Sequence, residues 1–436
     1  MKLNKYLLIV LLFSFLSNGI KSQEKLNLKQ VIEIGLKNNY DISIESNNAT
    51  ITENNNRIGN AGMLPKIDIL AGTNLANNSI KQEFSNGLKV DQNGVQSNNI
   101  NAGIFLSWTL FDGLKMFANK SKLNDLQAIG LLNYKIQVEN TLYEIITNYY
   151  NAARQKQIIE GFLENIKVSE ERLKIAELKL KLGSGSRLEV IQSAVDLNTQ
   201  KSELLRQNNL LTEIKINLNL LLAREPESTF DIDENINIET PKKIEDFKSS
   251  IETKNNSLLL SNQNLEYAGN LLREEKSQLY PQLGFNSSYL FSKNENQRGF
   301  SLLNQNLGLN LGLTASWNIF NGFVTNIRIK NAKLNLINYQ FQIESEKNKI
   351  HGQLKSAFNK YEDELQILKL ETRNELLAKE GLDIAIERFK LGMSNAIELK
   401  EIQKSYLDAI IRLSQSKYNI KIIETDLLKL NGDLLK

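Results

Sequence analysis

The chain has 436 residues, 53 of them Lys or Arg against 50 Asp or Glu, with no cysteine. That length allows two or three ordinary domains with a sizeable core, and the near-even charge offers no clustered basic excess to release counterions from nucleic acid. The lack of cysteine excludes structural disulfides, thiolate metal sites and a lipid carried on an N-terminal cysteine.

Lys2 and Lys5 precede an apolar run of eleven residues, Tyr6 to Leu16, which is followed by Ser17, Asn18 and Gly19. This pattern predicts a secretory signal peptide over residues 1–22, with cleavage after Ser22 and Gly19 as the alternative. The run falls short of the about 20 residues a helix needs to cross a bilayer, and no later stretch reaches about 18. Removing the leader takes away Lys2, Lys5 and Lys21, so the remainder is formally neutral.

A polar helical segment then leads to Leu64-Pro65, where proline, lacking an amide hydrogen, marks the helix end. Ile67, Ile69 and Ala71, and later Ile100, Ala102, Ile104, Leu106, Trp108 and Leu110, alternate with other residues, which predicts strands at about 66–76 and 100–111 joined by a polar loop at 77–99. A helical pattern runs from Leu114 to Leu182, which would be about 100 Å long if continuous. It breaks at Gly183-Ser184-Gly185 and resumes from Arg187 to Leu222. Asp112-Gly113 would ordinarily suggest a two-residue hairpin, but the helix behind it makes it a strand-to-helix turn. Val190, Leu197, Leu204, Leu211 and Leu218 recur every seven residues, a coiled-coil seam that the helix length favours over a plain bundle core.

Residues 223–243, with Pro226 and Pro241, read as a linker, after which the pattern repeats. Tyr280-Pro281 ends another helical segment. Leu283, Phe285, Ser287, Tyr289 and Phe291, then Leu307 through Ile319 at every second position, predict strands at about 282–292 and 307–320 with a loop at 293–306. Helices at 323–391 and 394–431 follow. Ser107-Trp108-Thr109-Leu110-Phe111-Asp112-Gly113 returns 209 residues later as Ser316-Trp317-Asn318-Ile319-Phe320-Asn321-Gly322. At the same offset Lys181-Leu182-Gly183 returns as Lys390-Leu391-Gly392, Glu189 as Glu398, and the seam as Leu399, Tyr406, Leu413, Ile420 and Leu427. Matches this far apart at one spacing identify an internal duplication, residues 23–222 and 244–436.

Amphipathic strands suit either a soluble sandwich or a membrane barrel. Four strands leave two open edges that hydrocarbon cannot satisfy, and known bacterial barrels begin at about eight strands, so several chains would have to share one barrel. Trp108 and Trp317 occupy equivalent strand ends, each with a phenylalanine three residues on, Phe111 and Phe320; aromatic rings at one level suit a bilayer interface.

Chemistry is not visible. His351, the single histidine, has no second histidine or cysteine to join it as a ligand. Gly183-Ser184-Gly185-Ser186 follows a helix and lacks the Gly-Lys-Ser/Thr ending of a phosphate loop, and Asp363-Glu364 sits among helical charges. No enzyme activity, metal or cofactor is expected.

The duplication, Leu64-Pro65 and Tyr280-Pro281 before the first strands, the Trp-x-x-Phe-x-Gly strand ends and the Lys-Leu-Gly hairpins together resemble the TolC family of outer-membrane efflux proteins over essentially the whole processed chain. The resemblance implies a mostly α protein with a membrane β portion: a homotrimer whose subunits each give four strands to a twelve-stranded outer-membrane barrel above an α-helical periplasmic tunnel, with the linker in an equatorial belt. It implies a passive exit duct of a tripartite efflux or type I secretion system, coupled through a periplasmic adaptor to an inner-membrane pump of the RND or ABC type. Carried over residue by residue, the adaptor-contact tips are Gly183, Ser184 and Gly185, and Gly392, Met393 and Ser394. The periplasmic constriction is Glu189, Glu398 and Glu401, where the family has aspartates. Ser394 replaces an expected arginine, and Phe389 stands where a tyrosine often tethers the closed gate. The rival reading is a soluble periplasmic coiled-coil adaptor or scaffold.

Overall fold

The computed structural model describes residues 24–238, 250–298 and 301–434. The expected signal peptide and residues 239–243 of the expected linker lie outside them. The chain forms two compact units, one from residues 1–46, 133–259 and 346–436, the other from Asn47–Leu132 and Leu260–Ser345. Each unit draws on both halves of the sequence, so the compact units cut across the repeats.

The first unit opens with β1 (Glu24–Leu26), which pairs in parallel with β4 (Phe230–Ile232). Helix α1 (Leu28–Asn38) starts at a reciprocal cap: the Asn27 side chain accepts from the Gln30 amide while the Gln30 side chain accepts from that of Asn27, each at 2.9 Å. Asn39 separates α1 from α2 (Tyr40–Asn55), donating to the Leu221 carbonyl at 2.9 Å and accepting from the Ile42 amide at 3.1 Å. The same arrangement recurs in the second half. Asn255, between α5 (Ile251–Lys254) and α6 (Asn256–Ser277), donates to the Leu430 carbonyl at 2.9 Å and accepts from the Leu258 amide at 3.0 Å. Each asparagine thus caps one helix and occupies an end carbonyl of another, groups that helix termini leave without intrahelical partners.

Helices α3 (Lys115–Lys181) and α7 (Val324–Lys390) have 67 residues each, and α4 (Arg187–Leu221) and α8 (Ala396–Leu430) have 35 each. Equal lengths are what a duplication requires. None of the ten seam positions is exposed, and Leu197, Leu218, Leu399, Tyr406, Ile420 and Leu427 are buried. A core of Leu26, Val31, Ile145, Tyr149, Leu218 and Phe230 ties the small parallel sheet to the helices.

The second unit contains an antiparallel sheet in the order β2 (Lys66–Glu83), β3 (Lys89–Phe111), β5 (Gln282–Asn296), β6 (Leu303–Ser316). The strands run well into the segments expected as loops at 77–99 and 293–306. Asparagine, serine and glutamine there give no apolar alternation, yet the ladder Asn74↔Asn99 to Ala76↔Ser97 continues through backbone pairing, joined by the Thr73 hydroxyl donating to the Asn98 side-chain oxygen at 3.2 Å. In the other direction β6 stops at Ser316, short of the expected residue 320. Trp108 stays within the sheet because β3 has a neighbour on either side; β6 is an edge strand, and Trp317 lies beyond its end.

The strand-to-helix turns follow the sequence reading. Gly113-Leu114 have φ of 69° and 72°, and Gly322-Phe323 have 66° and 65°, so two consecutive left-handed residues reverse the chain in each half. Asp112 then accepts from the Met116 amide at 3.1 Å and Asn321 from the Thr325 amide at 3.4 Å.

Candidate functional site

Register partners in an antiparallel sheet share a face. Ile69, Ile104, Tyr289 and Leu309 form one rung; Ile67, Leu106, Ser287 and Leu311 form the next on that face, and Trp108, Phe285 and Leu313 another. Leu309, Leu311 and Leu313 are 62%, 66% and 69% exposed. An apolar band this broad, left open on a folded chain, marks a surface that belongs against lipid or another chain. The opposite face is small and polar, with Gly72, Asn101, Ser292 and Asn306 on one rung. Both β2 and β6 have a single neighbour, so two edges are unpaired.

The aromatic residues gather at the end of the sheet where the helices begin. The Trp108 indole donates to the Met63 carbonyl at 3.0 Å, and that of Trp317 to the Leu279 carbonyl at 3.1 Å. Each acceptor lies two residues before the proline, Pro65 or Pro281. Phe111 is half-buried; Phe320 is exposed and meets Phe323 edge to face at 5.4 Å.

The two helix hairpins of the first unit carry the other expected site. Gly183 and Gly392 both have φ of +74°, the left-handed turn that ends α3 and α7. The amides of Ser184 and Gly185 converge on the Lys179 carbonyl at 2.9 and 3.0 Å, and a Cβ on Gly185 would lie 2.8 Å from that of Lys179. Met393 donates to the Arg388 carbonyl at 2.9 Å. Ser186 caps α4 by accepting from the Glu189 amide at 3.1 Å. Asn395 caps α8, accepting from Ile397 at 3.1 Å and Glu398 at 2.8 Å. Ser394 is half-buried, while Leu182, Leu391, Met393 and Ile397 are exposed around the tips.

Glu189 and Glu398 each sit in a helix's first turn and are half-buried; Glu401 is exposed and lies three residues from Glu398, on the same helix face. Glu398 faces Arg388 at 3.7 Å. Phe389 lies in the last turn of α7, three residues before Gly392. It is completely buried, packed with Leu382, Ala385, Leu399 and Tyr406, and covered by the Lys179 ammonium 4.3 Å from its ring. It is a core residue of the hairpin pair, where an apolar ring gains more by burial than by facing water.

Several residues here carried no sequence signal. Asp196 accepts from Arg172 at 2.9 Å and from Lys400 at 2.7 Å, tying α3, α4 and α8 to one carboxylate. The Arg172 side chain is 1% exposed, and its desolvation pulls the guanidinium pKa down against the opposing pull of Asp196. Lys390 meets Glu171 at 2.9 Å, Tyr406 donates to Glu164 at 2.9 Å, and Gln403 donates to the Asn165 carbonyl and the Ser169 hydroxyl at 2.7 Å. Burial and the Glu164 carboxylate together push the Tyr406 phenol upward.

Among the described residues no cluster has the makings of a metal site, and no helix is long and apolar enough to cross a membrane. His351 is exposed.

Comparison with known proteins gives one consistent picture. The family described as Outer membrane efflux protein matches residues 32–224 and 249–433. The outer membrane protein TolC of Escherichia coli K12 is 22% identical over 376 residues, 81% of this chain and 76% of that protein. The outer membrane efflux protein BepC of Brucella suis is 20% identical over 330 residues, 76% of this chain and 71% of that protein. The crystal structure of the Campylobacter jejuni CmeC outer membrane channel superposes with a TM-score of 0.78 at 17% identity, covering 93% of this chain and 85% of that one.

Proposed function

The chain belongs to the outer membrane efflux protein family, and from that premise we propose that three copies close one twelve-stranded barrel in the outer membrane, continued by a helical duct through the periplasm. The duct is a passive conduit, and energy comes from an inner-membrane pump reached through a periplasmic adaptor. The observation that carries this reading is the sheet: one face with a broad apolar band, one mostly small and polar face, and two unpaired edges. Joining β6 of one copy to β2 of the next satisfies both edges, sets the apolar face against lipid and leaves the polar face around water.

The hairpin tips are the adaptor contact in this reading. Gly183 and Gly392 let another backbone approach closely, and Leu182, Leu391 and Met393 offer exposed apolar surface beside them. Glu189, Glu398 and Glu401 form the anionic constriction, repeated by threefold symmetry, which favours cations. Arg388 moderates it from within the same hairpin. The Asp196 network, with Lys400 on one hairpin and Arg172 on the other, holds the two hairpins together and so sets how readily the duct opens.

Membrane fractionation tests the proposal. The processed protein is expected in the outer-membrane fraction, resistant to alkaline extraction. Recovery as a soluble periplasmic protein would overturn the barrel and favour the scaffold reading.

A further inference from the structure

The polar face of the sheet is interrupted at one place. Between the rungs of Lys66 and Ala76, the only apolar side chains larger than alanine on that face are Leu70, Phe105 and Leu290. They are not scattered. Leu70, Gly103, Leu290 and Gly308 share one rung, and Asp68, Phe105, Ser288 and Asn310 share the next, so Phe105 lies diagonally between the two leucines. Gly103 makes room: a Cβ there would come within 3.0 Å of the Leu290 Cδ1. Leu70 remains 60% exposed, and Phe105 and Leu290 are half-buried.

Phe105 also borders a shallow cavity of about 440 Å³, lined on this face with Ser107, Asn286, Ser288, Asn310 and Gly312, and by Leu106, Ser287 and Leu311 of the opposite-face rungs. The lining combines an aromatic ring, amides and hydroxyls and contains no charged group. The nearest ion pair, Lys66 with Asp68 at 3.0 Å, is internally neutral. The Asn310 side-chain amide makes no hydrogen bond among the described residues.

We propose that this patch is a binding station for uncharged amphipathic organic molecules. Their apolar face rests on Phe105 and the leucines, and their hydrogen-bonding edge turns to Asn286, Ser288 and Asn310. The inference rests on the proposed function, which sets the polar face around the conduit, and it adds a cargo contact inside the barrel. Fully hydrated ions gain nothing from such a surface, whereas a molecule with an aromatic ring and hydroxyls matches both halves of it.

The test uses the full-length protein in planar bilayers, with 4-nitrophenyl glucoside as probe and glucose, which lacks the aromatic ring, as its control. The nitrophenyl glucoside is expected to reduce the ionic current saturably and glucose is not. Phe105→Ser weakens the block about tenfold, the loss of one aromatic contact and its buried area, and Phe105→Tyr retains it. Conducting channels that the probe does not block, or that F105S leaves equally blocked, would overturn the station while leaving the channel intact. A protein that inserts and conducts nothing would overturn the channel reading and the station with it.

Discussion

Arg388 and Glu398 face each other across the second hairpin, the guanidinium Nη2 3.7 Å from the carboxylate Oε1. Ser394 stands two residues after the hairpin glycine, and Arg388 brings a cation to Glu398 from the other side of the turn. The pair is half exposed, so it contributes little to stability, within about 1 kcal/mol. Its consequence is electrostatic, because it leaves Glu401 as the less compensated charge.

Selectivity should divide accordingly. Glu401→Ala lowers cation preference in asymmetric-salt bilayer recordings. Glu398→Ala lowers it as well, leaving Arg388 without its carboxylate, and Arg388→Ala raises it. Unchanged reversal potentials in all three would remove these residues from the conduit.

Asp196 is a different kind of partner, because the Arg172 side chain it binds is almost wholly buried. Asp196→Asn strands that guanidinium and is expected to cost about 3 kcal/mol, read as a clear fall in melting temperature. Adding Arg172→Met removes the stranded charge and restores most of the loss. Lys400→Ala should cost far less, since that ammonium is half exposed and can return to water.

Two carboxylates in the first unit give the fold a pH dependence. Burial raises the pKa of Glu139 above its ordinary 4.5, against Asn256 and the nearby Lys429 and Lys135. Burial likewise raises Asp426 above 3.8, against Tyr143, whose own phenol is pushed up to about 12. Raised values mean that the folded chain holds these protons more tightly than the unfolded chain. Their contribution is therefore full below the ordinary carboxylate values and is lost as pH rises through the raised ones. Glu139→Gln keeps an acceptor for the Asn256 amide, which bonds Glu139 at 2.8 Å. It should raise the melting temperature at pH 7, with the advantage vanishing near pH 4.

Equivalent glycines should respond unequally. Gly113 and Gly322 share a left-handed φ, so alanine at either costs about 1 kcal/mol from the backbone alone. A Cβ on Gly113 would also lie 2.3 Å from the Ser277 carbonyl oxygen, whereas nothing lies within 4 Å of one on Gly322. Thermal melts should show Gly113→Ala destabilised by several times as much as Gly322→Ala.

The sequence was most legible where side chains alternate by environment. Leu307 to Leu313 announce a strand, and the seven-residue seam announces packed helices, because burial selects residue type at those positions. It was least legible where the backbone alone decides. Asn99 and Ser97 sit in a ladder that no composition rule marks, and Asn39 and Asn255 divide helices through side-chain caps that look like ordinary polar residues. At the hairpins, the tip glycines were readable from their break in the helical pattern. The burial of Phe389 and the meeting of Asp196 with Lys400 arise from which helix packs against which, and no local spacing encodes that.

In the proposed assembly one sheet with two open edges is one third of a closed barrel, and the mass of the detergent-extracted particle shows whether it is. A particle of three chains is expected, with no free monomer at equilibrium, because another copy is needed to satisfy the edges of β2 and β6. A stable monomer or dimer with the same sheet content would contradict it.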